Sequence, residues 1–334
     1  MSHKFEYTSV LAPYIRSFVE MKLAQGYTYY SPQWMLKEID DFYNENHIEE
    51  ATITKEIYRR WLETRIFDGG GRKYSKAVMW RTLATYMRLC GVKCEIPMPP
   101  RPQKPEHKPY VLTHDQMTRM FTAIDSMEQQ CRNYNTSLFS MPALFRFIYA
   151  TGVRENESIS LINSDVDLDN SVALIRNTKN RRDRYVPISD SLKSVLEQYI
   201  TQRDKLPIRG CNMPNAPFFV KANGKPITPE NVYDWFRKAM DKCGIPYYGD
   251  RFGPVVHSLR HTYAVHAFVK SEGEGLPLNT SLPIIQTCMG HKSPEATEHY
   301  IRLTHEMYPQ LITKAEMQSI NIFPEISDDQ EITD

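Results

Sequence analysis

Arg154, Lys179, His257, Arg260 and His291 each fall at the edge of an element that the sequence predicts, and Tyr300 follows nine residues after the last of them. Arg154 lies in a turn after Gly152, Lys179 at a hairpin tip, and His291 directly after Gly290. His257 and Arg260 open a helix three residues apart, so they share a face. A set of cations at element edges followed by one tyrosine suits an anionic substrate such as a phosphodiester. Direct cleavage of that bond requires a nucleophile, neutralisation of the non-bridging oxygens and a proton for the leaving oxygen. Arginine forks grip phosphate oxygens at two points and stay charged, so they can do electrostatic work that many phosphoryl-transfer enzymes give to Mg²⁺. A free tyrosine has a pKa of about 10 and needs such a cationic surround to become a useful nucleophile. The competing reading of Tyr300 is a half-buried packing residue. His257 and His261 have the i, i+4 spacing of a metal pair, but Ser258 stands where the metalloprotease pattern needs glutamate. No carboxylate cluster resembles a Mg²⁺ site. No metal or cofactor is expected.

The stretch Thr287 to Tyr300 must position the phenol. Gly290 suits the left-handed position that ends a helix. Ser293 and Pro294 then form an N-cap and N1 pair, and Glu295 and Glu298 lie where the new helix dipole favours negative charge. His291 is thereby predicted in the turn between two helices, with Tyr300 two turns into the second. His299 should face away from its neighbour.

Upstream, four helical segments over residues 7–91 predict a small bundle. They are marked by Tyr14, Phe18 and Met21; by Trp34, Ile39 and Phe42; by Ile57, Tyr58, Trp61 and Leu62; and by Val78, Leu83, Tyr86, Met87 and Cys90. Ser31-Pro32 opens the second, and Gly69-Gly70-Gly71 reads as a break before the fourth. Six prolines between 97 and 109 forbid helix and favour an extended spacer of on the order of 40 Å. Beyond it, Thr113 and Gln116 form a capping-box pattern. Helices are predicted to about Met127 and over about 138–150. Strands follow at Val166–Leu168, Ser171–Arg176 and Arg184–Ile188, with a turn at Asp169-Asn170 and a basic loop at 177–183. Helices at about 190–204 and 229–243, a connection over 244–254, a long helix that starts over Val255 to Ala264 and a flexible insert from Ser271 to Thr280 complete the pattern. Leu303 to Ile312 reads as a further helix.

The 334 residues suffice for two cores, and 41% are hydrophobic. No apolar run reaches the roughly 20 residues of a membrane span, and the start lacks a signal-peptide core. A cytoplasmic, nucleoid-associated protein without membrane contact is expected. The six cysteines show no zinc pattern and read as free thiols. With 41 basic and 40 acidic residues the net charge is +1. That average combines an acidic final segment from Glu325 with a basic one holding Arg176, Lys179, Arg181, Arg182 and Arg184.

Three boxes and a lysine together resemble the tyrosine recombinase (phage-type integrase) family. The boxes are Thr151-Gly152-x-Arg154-x-x-Glu157-x-x-x-Leu161, His257-x-Leu259-Arg260-His261-Thr262, and Met289-Gly290-His291-x-Ser293 with Tyr300 following. Lys179 matches the strand-loop lysine between them. The resemblance covers most of the chain. It implies a mainly α fold with a small β-sheet: a helical SAM-like core-binding domain over 1–95, a Pro-rich linker over 96–110, an α+β DNA breaking-rejoining domain over 111–320 with a C-terminal subunit-exchange segment, and an acidic tail over 321–334. It further implies that Tyr300 attacks the scissile phosphate, giving a 3′-phosphotyrosine and a free 5′-hydroxyl. Arg154 and Arg260 would clamp the phosphate, and His257 and His291 would donate to it, one of them assisting in removal of the tyrosine proton. Lys179 would protonate the leaving oxygen, and Glu157 would brace the pocket.

The implied partners are double-stranded recombination sites and three further copies in a homotetramer assembled on DNA from a monomer in solution. A directionality factor or partner recombinase would fit beside them. Arg72, Lys73, Lys76, Arg81, Arg101, Lys104, Arg181 and Arg182 could meet DNA phosphates or form solvated faces. An integrase or transposase of a mobile element is the favoured subtype, on the inserts at 244–254 and 271–280 and the long tail. The alternatives are a Xer-like dimer resolvase, a type IB topoisomerase and a non-catalytic DNA-binding regulator.

Overall fold

The computed structural model describes residues 5–27, 30–101, 109–128, 134–176, 182–247, 249, 253–276, 278–291 and 295–308. The chain divides into two compact units, Met1–His107 and Lys108–Asp334.

The first unit is four helices: α1 (Ala12–Ala24), α2 (Tyr30–Glu45), α3 (Lys55–Glu63) and α4 (Gly70–Leu89). Pro13 sits in the first turn of α1, where its missing N–H costs nothing. Thr54 caps α3 by accepting from the Ile57 N–H. The apolar faces meet around Trp61 and Trp80, whose rings lie 5.3 Å apart, with Tyr43, Phe42 and Phe18 packed nearby. Buried Asp40 on α2 accepts from Ser9 N–H (2.9 Å) and Ser9 Oγ (2.6 Å), tying down the segment that enters α1. Two expectations change here. The glycine triplet does not precede α4: Gly69 is its N-cap, a position that accepts glycine, and Gly70-Gly71 are its first residues. Trp34 is not core but 56% exposed, with Phe5 packed edge-on at 4.8 Å.

The second unit opens with α5 (His114–Asp125), where Thr113 and Gln116 cap each other reciprocally. Then come α6 (Met141–Thr151), the single-turn α7 (Glu155–Ile159) and an antiparallel sheet of β1 (Val166–Asp167), β2 (Val172–Ile175) and β3 (Arg184–Pro187) in that order. Register pairs Val172 with Pro187 and Ile175 with Arg184. Helices α8 (Asp190–Arg203), α9 (Pro229–Lys242), α10 (Val256–Gly273), α11 (Leu278–Met289) and α12 (Glu295–Met307) follow. Ala173, Ile175 and Val186 turn one sheet face into a core shared with Leu144, Phe145, Phe147, Leu196 and Phe236. A second cluster joins Ala264, Val265 and Phe268 of α10 to Ile285 and Met289 of α11 and Tyr300 and Leu303 of α12. The unit is therefore mainly helical with one small sheet, as the segment pattern predicts.

The expected flexible insert at Ser271–Thr280 is a correction. Helix α10 continues through Gly273 and α11 begins at Leu278, so most of the expected insert is helical. Similarly, Leu303 to Met307 belongs to the helix that carries Tyr300 rather than to a separate one. The first misreading comes from polar residues and glycines that a helix tolerates once its other face is packed. Among the described residues no helix is long and apolar enough to cross a membrane. The Ser293-Pro294 cap, the 177–181 loop and the acidic tail lie outside the described residues.

Candidate active site

Two helix C-termini build the floor of the site. Helix α6 ends on Gly152, whose φ of 64° is left-handed and whose N–H reaches the Ile148 carbonyl at 2.9 Å. A Cβ at Gly152 would lie 2.2 Å from Cδ1 of Tyr263, so close packing demands glycine as firmly as the backbone angle does. Helix α11 ends in a Schellman turn: Gly290 N–H bonds the Thr287 carbonyl (3.0 Å) and His291 N–H bonds that of Gln286 (3.1 Å). These two turns deliver Arg154 and His291 at defined points.

Arg260, on the first turns of α10, is inserted between the two helix ends. Its Nη1 donates to the Gly152 carbonyl and its Nη2 to the Met289 carbonyl, each at 2.6 Å. The side chain is 1% exposed. Desolvation, then the Arg154 charge, pull its pKa down to about 10, so it remains a cation at neutral pH. The carbonyl-rich, negative ends of two helices are what make a buried guanidinium tolerable here.

Glu157 holds the other cations. It accepts from the Arg154 backbone N–H (2.9 Å) and Nη1 (2.8 Å), and from Arg184 Nη2 (2.7 Å). Arg184 also donates through Nε to the Cys288 carbonyl at 2.8 Å, crossing from β3 to the end of α11. Burial alone would raise the Glu157 pKa, but hydrogen bonds from Arg184 and Arg154 outweigh it and hold the carboxyl at about 2.

Tyr300 lies in the second turn of α12 and is buried. Its hydroxyl is 2.8 Å from Nδ1 of His261. The His291 ring stacks on it, with centroids 5.9 Å apart and planes at 9°. His291 is itself oriented by Thr297, whose hydroxyl lies 2.8 Å from its Nδ1. His257 meets His261 edge to face at 4.7 Å. Burial raises the pKa of Tyr300, and Arg260 and Arg154 only partly offset this, so the resting phenol is protonated. Desolvation, then Arg260 and Arg154, bring His291 down to about 4, which keeps it neutral. His257 moves the same way for the same causes.

The structure thus brings Arg154, His257, Arg260, His291 and Tyr300 into one electrostatically linked group, with Glu157 bonded to Arg154. Lys179, Arg181 and Lys104 lie outside the described residues. Arg72, Arg81, Arg101 and Arg182 are exposed and Lys73 is half-buried. Lys76 is only 14% exposed in its side chain and is bound by Glu38 (2.9 Å) and Asp68 (2.8 Å), so its charge is already matched within the first unit. Two residues gain a place that their sequence context did not give them. Arg184 reads as one more cation of a basic loop, yet it is an internal brace. His261 has no role assigned from the sequence beyond its place in the second box, yet it contacts the phenol. The signal for Arg184 is its position at the start of a strand. The signal for His261 is its place one residue beyond Arg260.

The family model described as the phage integrase family matches residues 110–307. The chain belongs to the phage integrase family. Among its family relatives, the tyrosine recombinase XerC of Halalkalibacterium halodurans is 26% identical over 283 residues, covering 81% of this chain and 85% of the relative. The tyrosine recombinase XerA of Pyrococcus horikoshii is 25% identical over 241 residues, covering 71% and 72%. In fold, the chain is similar to the Tn1549 transposon integrase in complex with a circular intermediate DNA, with a TM-score of 0.63 at 15% identity over 88% of this chain and 95% of that one. It is also similar to the XerH site-specific recombinase bound to palindromic difH substrate, with a TM-score of 0.60 at 17% identity over 86% and 77%.

Proposed function

We propose that the protein is a site-specific DNA recombinase that cuts and rejoins strands through a covalent 3′-phosphotyrosine at Tyr300. The observation that carries this reading is Arg260, fixed between two helix ends and coupled to a buried phenol in the same pocket. Arg154 and Arg260 neutralise the scissile phosphate, and His257 and His291, both neutral at pH 7, donate to its oxygens. Lys179 protonates the leaving 5′-oxygen. Tyr300 forms the P–O bond as the P–O5′ bond breaks, so the phosphoester is conserved and religation requires no ATP. The core-binding unit, with Arg72, Lys73 and Arg81, contacts the duplex, and four copies on two sites exchange strands through a Holliday junction.

For the subtype, we favour a mobile-element integrase, supported by the 244–254 connection and the long tail; the helical character of 271–280 removes a third support. The relatives named XerA and XerC favour a dimer resolvase as the second reading. The test is a nicked suicide duplex, taken from the DNA flanking the gene, incubated with wild type and with Tyr300→Phe. A protein–DNA adduct on a denaturing gel with wild type only supports the reading. Specific binding without an adduct from wild type would replace it with a non-catalytic DNA-binding protein. An adduct on gene-flanking ends favours the integrase; an adduct only on a chromosomal dimer-resolution site favours the resolvase.

A further inference from the structure

We infer that His261, rather than His257 or His291, is the base that takes the phenolic proton of Tyr300; the inference rests on the nucleophilic role proposed above. His261 Nδ1 lies 2.8 Å from the Tyr300 oxygen, within the range of a direct proton transfer. The partners of that oxygen indicate which way the proton points. Arg260 acts on the phenol as a nearby cation, and a guanidinium can only donate, so it cannot take the proton. A phenol has one proton, and the arrangement that gives it an acceptor places the lone pair of His261 on Nδ1. His291 is differently engaged. Its Nδ1 is turned to the Thr297 hydroxyl at 2.8 Å, and its ring lies parallel to the Tyr300 ring rather than in line with the O–H.

The groups that face this pair are His257 and Arg260 from α10, His291 from the turn before α12, and Arg154 from the turn after α6. The guanidiniums of Arg154 and Arg260 cannot accept a proton, and the His261 ring nitrogen is the group in hydrogen-bond contact with the hydroxyl that can. As the Tyr300 oxygen attacks phosphorus, its O–H bond breaks and the proton forms an N–H bond at Nδ1. The P–O5′ bond breaks, and the 5′-oxygen receives its proton from Lys179. On religation the imidazolium returns its proton to the departing phenolate. His261 and Tyr300 are 39 residues apart and on different helices, so packing of α10 on α12 makes the pair.

The experiment is single-turnover cleavage of the nicked suicide duplex by wild type, His261→Ala and His261→Asn across pH 6–10, with circular dichroism and duplex binding measured alongside. We expect His261→Ala to cleave ~10²-fold or more slowly at pH 7, the usual scale of a lost general base. The deficit should shrink as pH approaches the phenol's own pKa, and added imidazole should restore part of the rate. His261→Asn keeps a hydrogen-bonding group without a base and should remain slow; it carries the test where His261→Ala does not fold. Rates within about threefold of wild type for a folded variant would overturn the assignment and leave the recombinase reading standing. A loss equal at every pH and indifferent to imidazole would overturn it too, since a purely structural role behaves that way. No adduct from wild type would overturn both readings.

Discussion

Glu157 is the residue on which the pocket's charge balance depends, and Glu157→Gln is the informative perturbation. The side chain keeps its shape but loses the charge that holds Arg154 and Arg184. The carboxyl is held at about 2 against an ordinary 4.5. At about 1.4 kcal/mol for each tenfold change in proton affinity, that amounts to roughly 3 kcal/mol of folding stability at neutral pH. Because the folded pKa is the depressed one, the contribution is complete above about pH 4.5 and is lost as pH falls towards 2. The glutamine has no such titration. Wild type should therefore exceed the variant by roughly 3 kcal/mol at pH 7, and the gap should narrow by roughly 2 kcal/mol at pH 3. Two units in one chain make a single global transition unreliable. Urea titrations should instead be read by pulsed hydrogen exchange on peptides from α6 and α10. A gap below about 1 kcal/mol at pH 7, or one that is the same at pH 7 and pH 3, would refute the reasoning.

Gly152→Ala should destabilise the second unit by several kcal/mol, since the new Cβ would fall 2.2 Å from Tyr263. In a Tyr263→Ala background the clash is gone, and Gly152→Ala should cost only the roughly 1–2 kcal/mol of the left-handed backbone relative to Tyr263→Ala alone, measured by the same titrations. Arg184→Lys should slow cleavage far more than it weakens duplex binding, because a lysine cannot span Glu157 and the Cys288 carbonyl together; equal losses in the two assays would contradict that. In the first unit, Lys76→Ala should lower stability by roughly 1–3 kcal/mol through Glu38 and Asp68. Arg81→Ala should leave stability intact and reduce the salt dependence of DNA binding by about one counterion, read from Kd against salt concentration.

Local chemistry made much of the molecule legible in the sequence. Gly152 and Gly290 end helices, and Thr113 with Gln116 starts one, because capping depends on residues within a few positions of each other. The same locality made the placement of Arg154 and His291 in turns, and of His257 and Arg260 on one helix face, predictable. What stayed hidden depends on distant partners. Arg184 and Glu157 are 27 residues apart, and nothing in a basic loop says that one arginine turns inward. Lys76 read as a cation for DNA phosphates or a solvated face, and only the fold set it against Glu38, which is 38 residues away. The 271–280 segment looked flexible because its composition is polar and glycine-containing, whereas packing of α10 and α11 extends helix into both ends of it.

The most direct test of the account is the identity of the residue joined to DNA. The adduct formed on a nicked suicide duplex should be digested with protease and nuclease, and the cross-linked peptide sequenced by mass spectrometry. The account predicts a 3′-phosphodiester on Tyr300, within the peptide that carries α12, and a free 5′-hydroxyl on the released strand. A nucleotide attached to Tyr263, Tyr308 or any residue other than Tyr300, or a 5′-linked adduct, would contradict it.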